Sequence, residues 1–196
     1  MAEQDVEEQG EVRKEQLDPE REARRRLALA QIRQYPDPVL RMRANEVESF
    51  DDDLRRLVER MTQLMQDARG VGLAGTQVGT LQRVFVFQPT EEDEPRALVN
   101  PVLVHASEVK LTETEGCLSL QGVTIPVERP AKVKLEAKDE TGKDVQLELE
   151  EHAARVAQHE LDHLDGILIL DRTTAEARRE ALGILRPEPV LGVTSS

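Results

Sequence analysis

QHELDH, residues 158–163, sets two histidines four apart with an acid directly after the first. On a helix, residues at that spacing stand one above the other on a single face. His159 and His163 can then offer both imidazoles to one metal ion, while Glu160 aims its carboxylate at a water molecule as general base. Residues 150–164 carry helical periodicity, which places the motif on a helix. The same letters also fit a charged helix face with two surface histidines, so a third ligand decides between the readings.

Catalytic metal sites usually take three protein ligands and keep one position open. The single cysteine, Cys117, lies in TETEGCLSLQ, residues 112–121, after a glycine that allows close backbone approach. It rules out an intrachain disulfide. Alone, such a cysteine is more often a small buried hydrophobe; read with the two histidines, it completes a Cys-His-His set. A glycine-rich stretch, GVGLAGTQVG at residues 70–79, stands further upstream. It lacks the Lys-Ser/Thr pair of a phosphate loop and the strand–glycine–helix order of a dinucleotide site. It offers close backbone approach and one amide, Gln77, able to donate to a developing oxyanion.

The bulk properties fit one folded domain. The chain has 196 residues, 38% hydrophobic and 33% charged, and its few aromatics leave the core to Val, Leu, Ile and Ala. A formal net charge of −13, with 39 acids against 26 bases, repels phosphate backbones and argues against direct nucleic-acid binding. No apolar run approaches the roughly 18 to 20 residues that span a bilayer. The acidic start lacks the features of a secretory signal, so the expectation is a cytoplasmic protein without a membrane partner. No sustained heptad predicts a coiled coil, and a monomer is the default.

Half of residues 1–30 are charged, which predicts a segment outside the core, partly helical or disordered; Asp18-Pro19 marks a short helix to about Ala28. YPDPVL favours extended backbone. Residues 51–68 form an amphipathic helix with Met61 and Met65 in its apolar face. Strands are predicted at 83–88, 97–104, 108–112, 123–127, 131–137 and 144–149, the last two joined by a turn at Asp139 to Gly142. A capping box at Thr173 starts a short helix, and the tail after residue 183 is irregular. The fold class is α+β: a single domain whose central motif-bearing helix packs against small antiparallel β-sheets. Its divisions are an extension, 1–30, a catalytic domain, 31–183, and a tail, 184–196.

Taken together, the three motifs resemble those of the peptide deformylases. Gly70 to Gln77 matches the family's Gly-x-Gly-Leu-Ala-Ala-x-Gln except that Gly75 replaces the second alanine. Glu115 to Ser119 (EGCLS) and Gln158 to His163 match intact, and the likeness runs from about Gln31 to about Arg172. The resemblance implies removal of the formyl group from the initiating methionine of nascent chains. It makes Cys117, His159 and His163 the ligands of one divalent ion per chain, ferrous iron in preference to zinc, nickel or cobalt. It makes Glu160 the general acid/base, and Gln77 with the Leu118 backbone N–H the oxyanion donors. Gly72, Leu73 and Gly116 would line the substrate cleft, and Val71, Leu73 and Ile125 are candidates for the methionine pocket. Glu115 and Ser119 would shape the cysteine loop, with Asp162 supporting the helix. The partners implied are N-formylmethionyl nascent peptides, with a transient ribosome contact compatible with that substrate.

The chain departs from the family at Gly75, at Gln121 where many relatives have proline, and at Thr124 where some have arginine; Arg129 fits a later family arginine. Other readings of the same atoms are a zinc endopeptidase, a cysteine-nucleophile hydrolase and a structural zinc site. A structural site needs four protein ligands, which would require His105 or His152 and leave Glu160 without a task.

Overall fold

The computed structural model describes residues 18–186. The acidic stretch 1–17 and all of the tail beyond Arg186 lie outside the described residues. Helix α1, Pro19–Leu29, starts where Asp18 accepts from the Glu20 N–H at 3.1 Å and Pro19 occupies the first turn. The expectation that residues 1–30 stand outside the core fails at the end of this helix. Ala28 and Leu29 are buried in a cluster with Met61, Met65 and Leu73, because the last turn of α1 lies on helix α2, Asp52–Asp67. Asp51 caps α2 through the N–H groups of Asp53 and Leu54. Met61 and Met65 are fully buried, as their spacing predicts.

YPDPVL is not uniformly extended. Asp37 accepts from the Val39 N–H at 3.0 Å and caps a 3-10 turn at Pro38–Arg41, so the aspartate before the proline starts a helical turn. The glycine-rich stretch holds a short strand, β1 (Gly72–Ala74), and then a 3-10 turn at Gly75–Val78. Strand β2 is Val84–Phe87, β3 Arg96–Ala106, β4 Lys110–Gly116, β5 Thr124–Pro130, β6 Lys132–Lys138 and β7 Asp144–Glu150. A five-stranded antiparallel sheet has the order β1-β2-β3-β6-β7, and β4 pairs with β5 in a separate two-stranded sheet.

Helix α3, Glu151–Leu164, follows β7 with no intervening loop. Nine of its residues are buried, Arg155, Gln158, Glu160 and Asp162 among them. One side packs on the large sheet: Val156, Ala157 and Leu164 share a cluster with Phe85, Leu98 and Leu135. The other approaches β5. This confirms an α+β architecture with the motif helix at its centre. Helix α4, Ala175–Ile184, is capped by Thr174, which accepts from the Ala177 N–H at 3.2 Å. The cap thus falls one residue later than Thr173, whose hydroxyl instead donates to the Pro126 carbonyl at 2.7 Å.

Candidate metal centre and substrate cleft

Three elements converge on one point. β4 ends at Gly116 and delivers Cys117, α3 brings His159 and His163, and β1 with its 3-10 turn brings Gly72 and Gln77. One ligand atom from each of Cys117, His159 and His163 lies within 4.8 Å of the others. Cys117 Sγ is 3.2 Å from His163 Nε2. Glu115 Oε2 lies 3.0 Å from His159 Nδ1. A carboxylate only accepts, so the His159 Nδ1–H donates to Glu115 and Nε2 is the ring atom left to face a metal.

This donor set fits a divalent transition metal. Thiolate plus two imidazoles suits zinc, iron, nickel or cobalt. Among the described residues, the buried atoms Glu160 Oε2 and His163 Nδ1 have no hydrogen-bond partner. An unpartnered carboxylate oxygen beside three convergent donors is what a site for an ion and its water requires.

Below the ligands lies a buried ionic network. Glu115 accepts from Arg129 at 2.6 and 2.9 Å and from Arg155 at 2.7 Å. Asp162 accepts from Arg129 at 2.8 Å and from Arg172 at 2.6 and 3.1 Å. Burial alone would raise Glu115, but hydrogen bonds from His159 and Arg129 outweigh it and hold the carboxyl well below its usual range. Burial pushes Glu160 up to about 7, against the opposing pull of His159 and Arg129. Burial also drives His163 well below the usual imidazole range, whereas Cys117 and Glu115 overcome it at His159 and raise that ring well above.

Gln77 is held with its amide in one orientation. Its Oε1 accepts from the Ala74 N–H at 2.8 Å, so its NH₂ faces Ser119 Oγ at 3.1 Å and Cys117 Sγ at 3.6 Å. Leu118 gives its carbonyl to Gln34 at 3.0 Å. Its N–H donates to no protein acceptor among the described residues. Gly72 lies against Glu160: a Cβ there would be 2.3 Å from Oε1.

A cavity of about 430 Å³ opens on this cluster, lined by Val71, Gly72, Gln77, Gly116, Cys117, Leu118, His159 and Glu160. Two residues expected there are elsewhere. Leu73 is fully buried in the cluster with Met61 and Met65, because on strand β1 it faces the core. Ile125 shares the inner face of β5 with Val127 and Arg129 and packs on Leu40 and Leu168. The apolar cavity wall is instead Leu29, Val71, Leu118, Leu120, Val123 and Val156. Arg155 was missed by sequence reasoning, although it precedes His159 by one helical turn, the spacing that joins His159 to His163.

Comparison with known proteins agrees with this geometry. The family model for polypeptide deformylase matches residues 29–179. A peptide deformylase of Clostridium botulinum is 46% identical over 148 residues, covering 76% of this chain and 99% of the relative. Peptide deformylase 1 of Corynebacterium glutamicum is 41% identical over 162 residues, covering 82% and 96%. The crystal structure of peptide deformylase from Thermotoga maritima superposes with a TM-score of 0.71 at 43% identity, covering 73% of this chain and 96% of that one. With the Cys117, His159 and His163 cluster in place, the chain belongs to the peptide deformylase family and is a metal-dependent hydrolase.

Proposed function

We infer that this deformylase removes the N-formyl group from the initiating formyl-methionine of nascent polypeptides, with Glu160 as its proton carrier and Gln77 and Leu118 as oxyanion donors. The carrying observation is the convergence of one thiol, two imidazoles and a buried, unpartnered carboxylate oxygen at the end of one cavity.

Cys117, His159 and His163 would hold the ion. Once bound, it would supply a Lewis acid that makes water a better nucleophile near neutral pH. Ferrous iron is the ion favoured by the family resemblance, and the donor set also accepts zinc, nickel or cobalt.

The remaining work falls to the chain's own side chains. Glu160, pushed up to about 7, can take a proton from the attacking water and return it to the departing methionyl amine near neutrality. The formyl oxygen gains charge as its carbon becomes tetrahedral, and donors already oriented by the fold lower that barrier. The Gln77 NH₂ is oriented in that way by the Ala74 N–H on its oxygen. The Leu118 N–H is the second donor. The apolar wall from Leu29 to Val156 suits a methionine side chain. A formyl carbon bears only hydrogen on its far side, so a close wall there admits formyl and rejects a continuing peptide. Gly72 packs its backbone against Glu160 at the same end of the cavity.

We place the protein in the cytoplasm as a monomer, where nascent chains are made, with a transient ribosome contact. No described helix is long and apolar enough to cross a membrane.

The test is formate release from formyl-Met-Ala-Ser by anaerobically prepared ferrous protein, beside a metal-loaded Glu160→Ala variant. Release by the parent and its loss in the variant are expected. A fully metallated parent that releases no formate would overturn the reading, and cleavage within unformylated peptides would point to an endopeptidase.

A further inference from the structure

Helix α1 precedes almost all of the family match, which begins at residue 29, yet its Arg25 lines the catalytic cavity. Arg69, two residues beyond the end of α2, lines the same cavity. Arg69 also belongs to an adjoining hollow framed by Arg21, Arg24, Gln63, Gln66 and Asp67. The cavity is thus bordered by the guanidinium groups of Arg25 and Arg69, with those of Arg21 and Arg24 in the adjoining hollow, on a chain whose net charge is −13.

The other charges of the cavity are engaged. Arg155 is paired with Glu113 at 2.9 Å and Glu115 at 2.7 Å, and Glu160 sits at the reacting centre. Arg25, by contrast, meets among the described residues only Glu22 of its own helix, at 3.7 Å and with its side chain 39% exposed. Such a pair contributes little and yields readily to a better partner. Arg69 is exposed and has no ion pair among the described residues. Two guanidinium groups thus remain available to a ligand in the cavity, and guanidinium recognises carboxylate through paired, charge-assisted hydrogen bonds.

We propose that Arg25 and Arg69 form a cationic rim that favours formyl-methionyl peptides carrying an aspartate or glutamate within two residues of the methionine. The inference rests on the deformylase reading of the same cavity. Peptide carboxylates suit this rim better than RNA phosphates. Both arginines border the cavity that takes the peptide, and the net charge of −13 on the whole chain disfavours an extended polyanion. The rim is open to solvent, so the discrimination is about three- to tenfold, falls with added salt and resides in KM.

The experiment uses the ferrous holoenzyme and C-terminally amidated formyl-Met tetrapeptides, with Glu, Gln or Lys at each of the two positions after methionine. Formate release gives kcat/KM for each. At one position or both, Glu is expected to exceed Gln by about three- to tenfold. The Arg25→Gln/Arg69→Gln variant brings the ratio close to one, the Arg25→Lys/Arg69→Lys variant retains a preference, and the Arg25→Glu/Arg69→Glu variant turns it towards Lys. Thermal melting checks that each variant folds. A ratio near one in the parent, or a preference that survives the double glutamine variant, overturns the proposal. So does RNA binding that is lost in the variants while the peptide ratio stays fixed. Absence of release from every peptide, the Gln series included, would fault the deformylase reading itself, and the rim would fall with it.

Discussion

Gly72 and Glu160 are so close that a Cβ on the glycine would lie 2.3 Å from Glu160 Oε1 and 2.7 Å from its carboxyl carbon. Strand β1 presses its backbone against the carboxylate proposed above as the proton carrier. Glu160 therefore cannot keep its position beside any larger residue. Gly72→Ala should lower kcat on formyl-Met-Ala-Ser by about a hundredfold, the usual effect of displacing a reacting group by about an ångström. Bound metal, measured by elemental analysis, should stay near one per chain, because Cys117, His159 and His163 are not displaced. An alanine variant with parental kcat would show that Glu160 has another productive position.

Gly75 replaces the alanine of the family motif, and the structure gives the reason. A Cβ at this position would come within 2.6 Å of the Gln82 carbonyl oxygen and 3.1 Å of Thr80 Cγ2. The glycine does not leave a gap where a methyl once packed; its surroundings have closed over it. Restoring the alanine should destabilise the protein by about 1–3 kcal/mol, as overpacking usually does. The 3-10 turn that carries Gln77 starts at Gly75, so kcat should fall with it. Thermal melting of Gly75→Ala beside the parent decides this, and an equal or higher midpoint would contradict it.

Glu115 lies under the metal cluster with 5% of its side chain exposed, and binds Arg129, Arg155 and His159 together. Glu115→Gln strips the charge from the centre of this network and leaves two buried guanidinium groups short of a partner. A loss of about 3–5 kcal/mol at neutral pH is expected, with metal affinity about 10- to 100-fold weaker through the altered hold on His159. The pH dependence has a definite sign. The carboxyl is held well below its ordinary 4.5, so the folded protein favours the ionised form. That contribution is complete above about 4.5 and is lost as pH falls below it. Denaturant titrations should show the parent and the glutamine variant converging below pH 4.5. A constant gap down to strongly acidic pH would remove the carboxylate from this account.

The motifs were legible because they are local. Histidines four apart say the same thing in any amphipathic helix, and Cys117 needed only a third place in a set of three. The alternating strands and α2 were readable for the same reason, since their periods lie within a few residues. Elements set by distant partners were not. Leu73 and Ile125 look like pocket residues until the sheet shows which face each strand buries. Glu115, Arg129 and Arg155 come from β4, β5 and α3, and ordinary sequence statistics place such charges on the surface. Only the pairing of β4 with β5 and the approach of α3 bring them under the metal cluster. β1 is three residues long and starts with glycine, too little for any periodic signal. Arg25 lies in a charged segment that reads as solvated, and its place in the cavity depends on Ala28 and Leu29 docking α1 against α2.

Gln77 permits a test that separates orientation from chemistry. Its Oε1 is committed to the Ala74 N–H at 2.8 Å, which forces the NH₂ towards Cys117 and Ser119. Gln77→Glu keeps an oxygen to accept from Ala74 and nearly the same shape. It removes the donor and puts a negative charge where the formyl oxygen must itself become negative. If the amide stabilises that charge, kcat should fall by about 10²–10³-fold, the range for loss of one oxyanion donor. KM should change far less, because the ground-state carbonyl carries little charge. Gln77→Ala loses both the donor and the bond to Ala74, and its melting point should drop further than that of the glutamate variant. A Gln77→Glu protein that loses KM and keeps kcat would make Gln77 a substrate-binding residue and leave the Leu118 N–H as the only protein donor to the oxyanion.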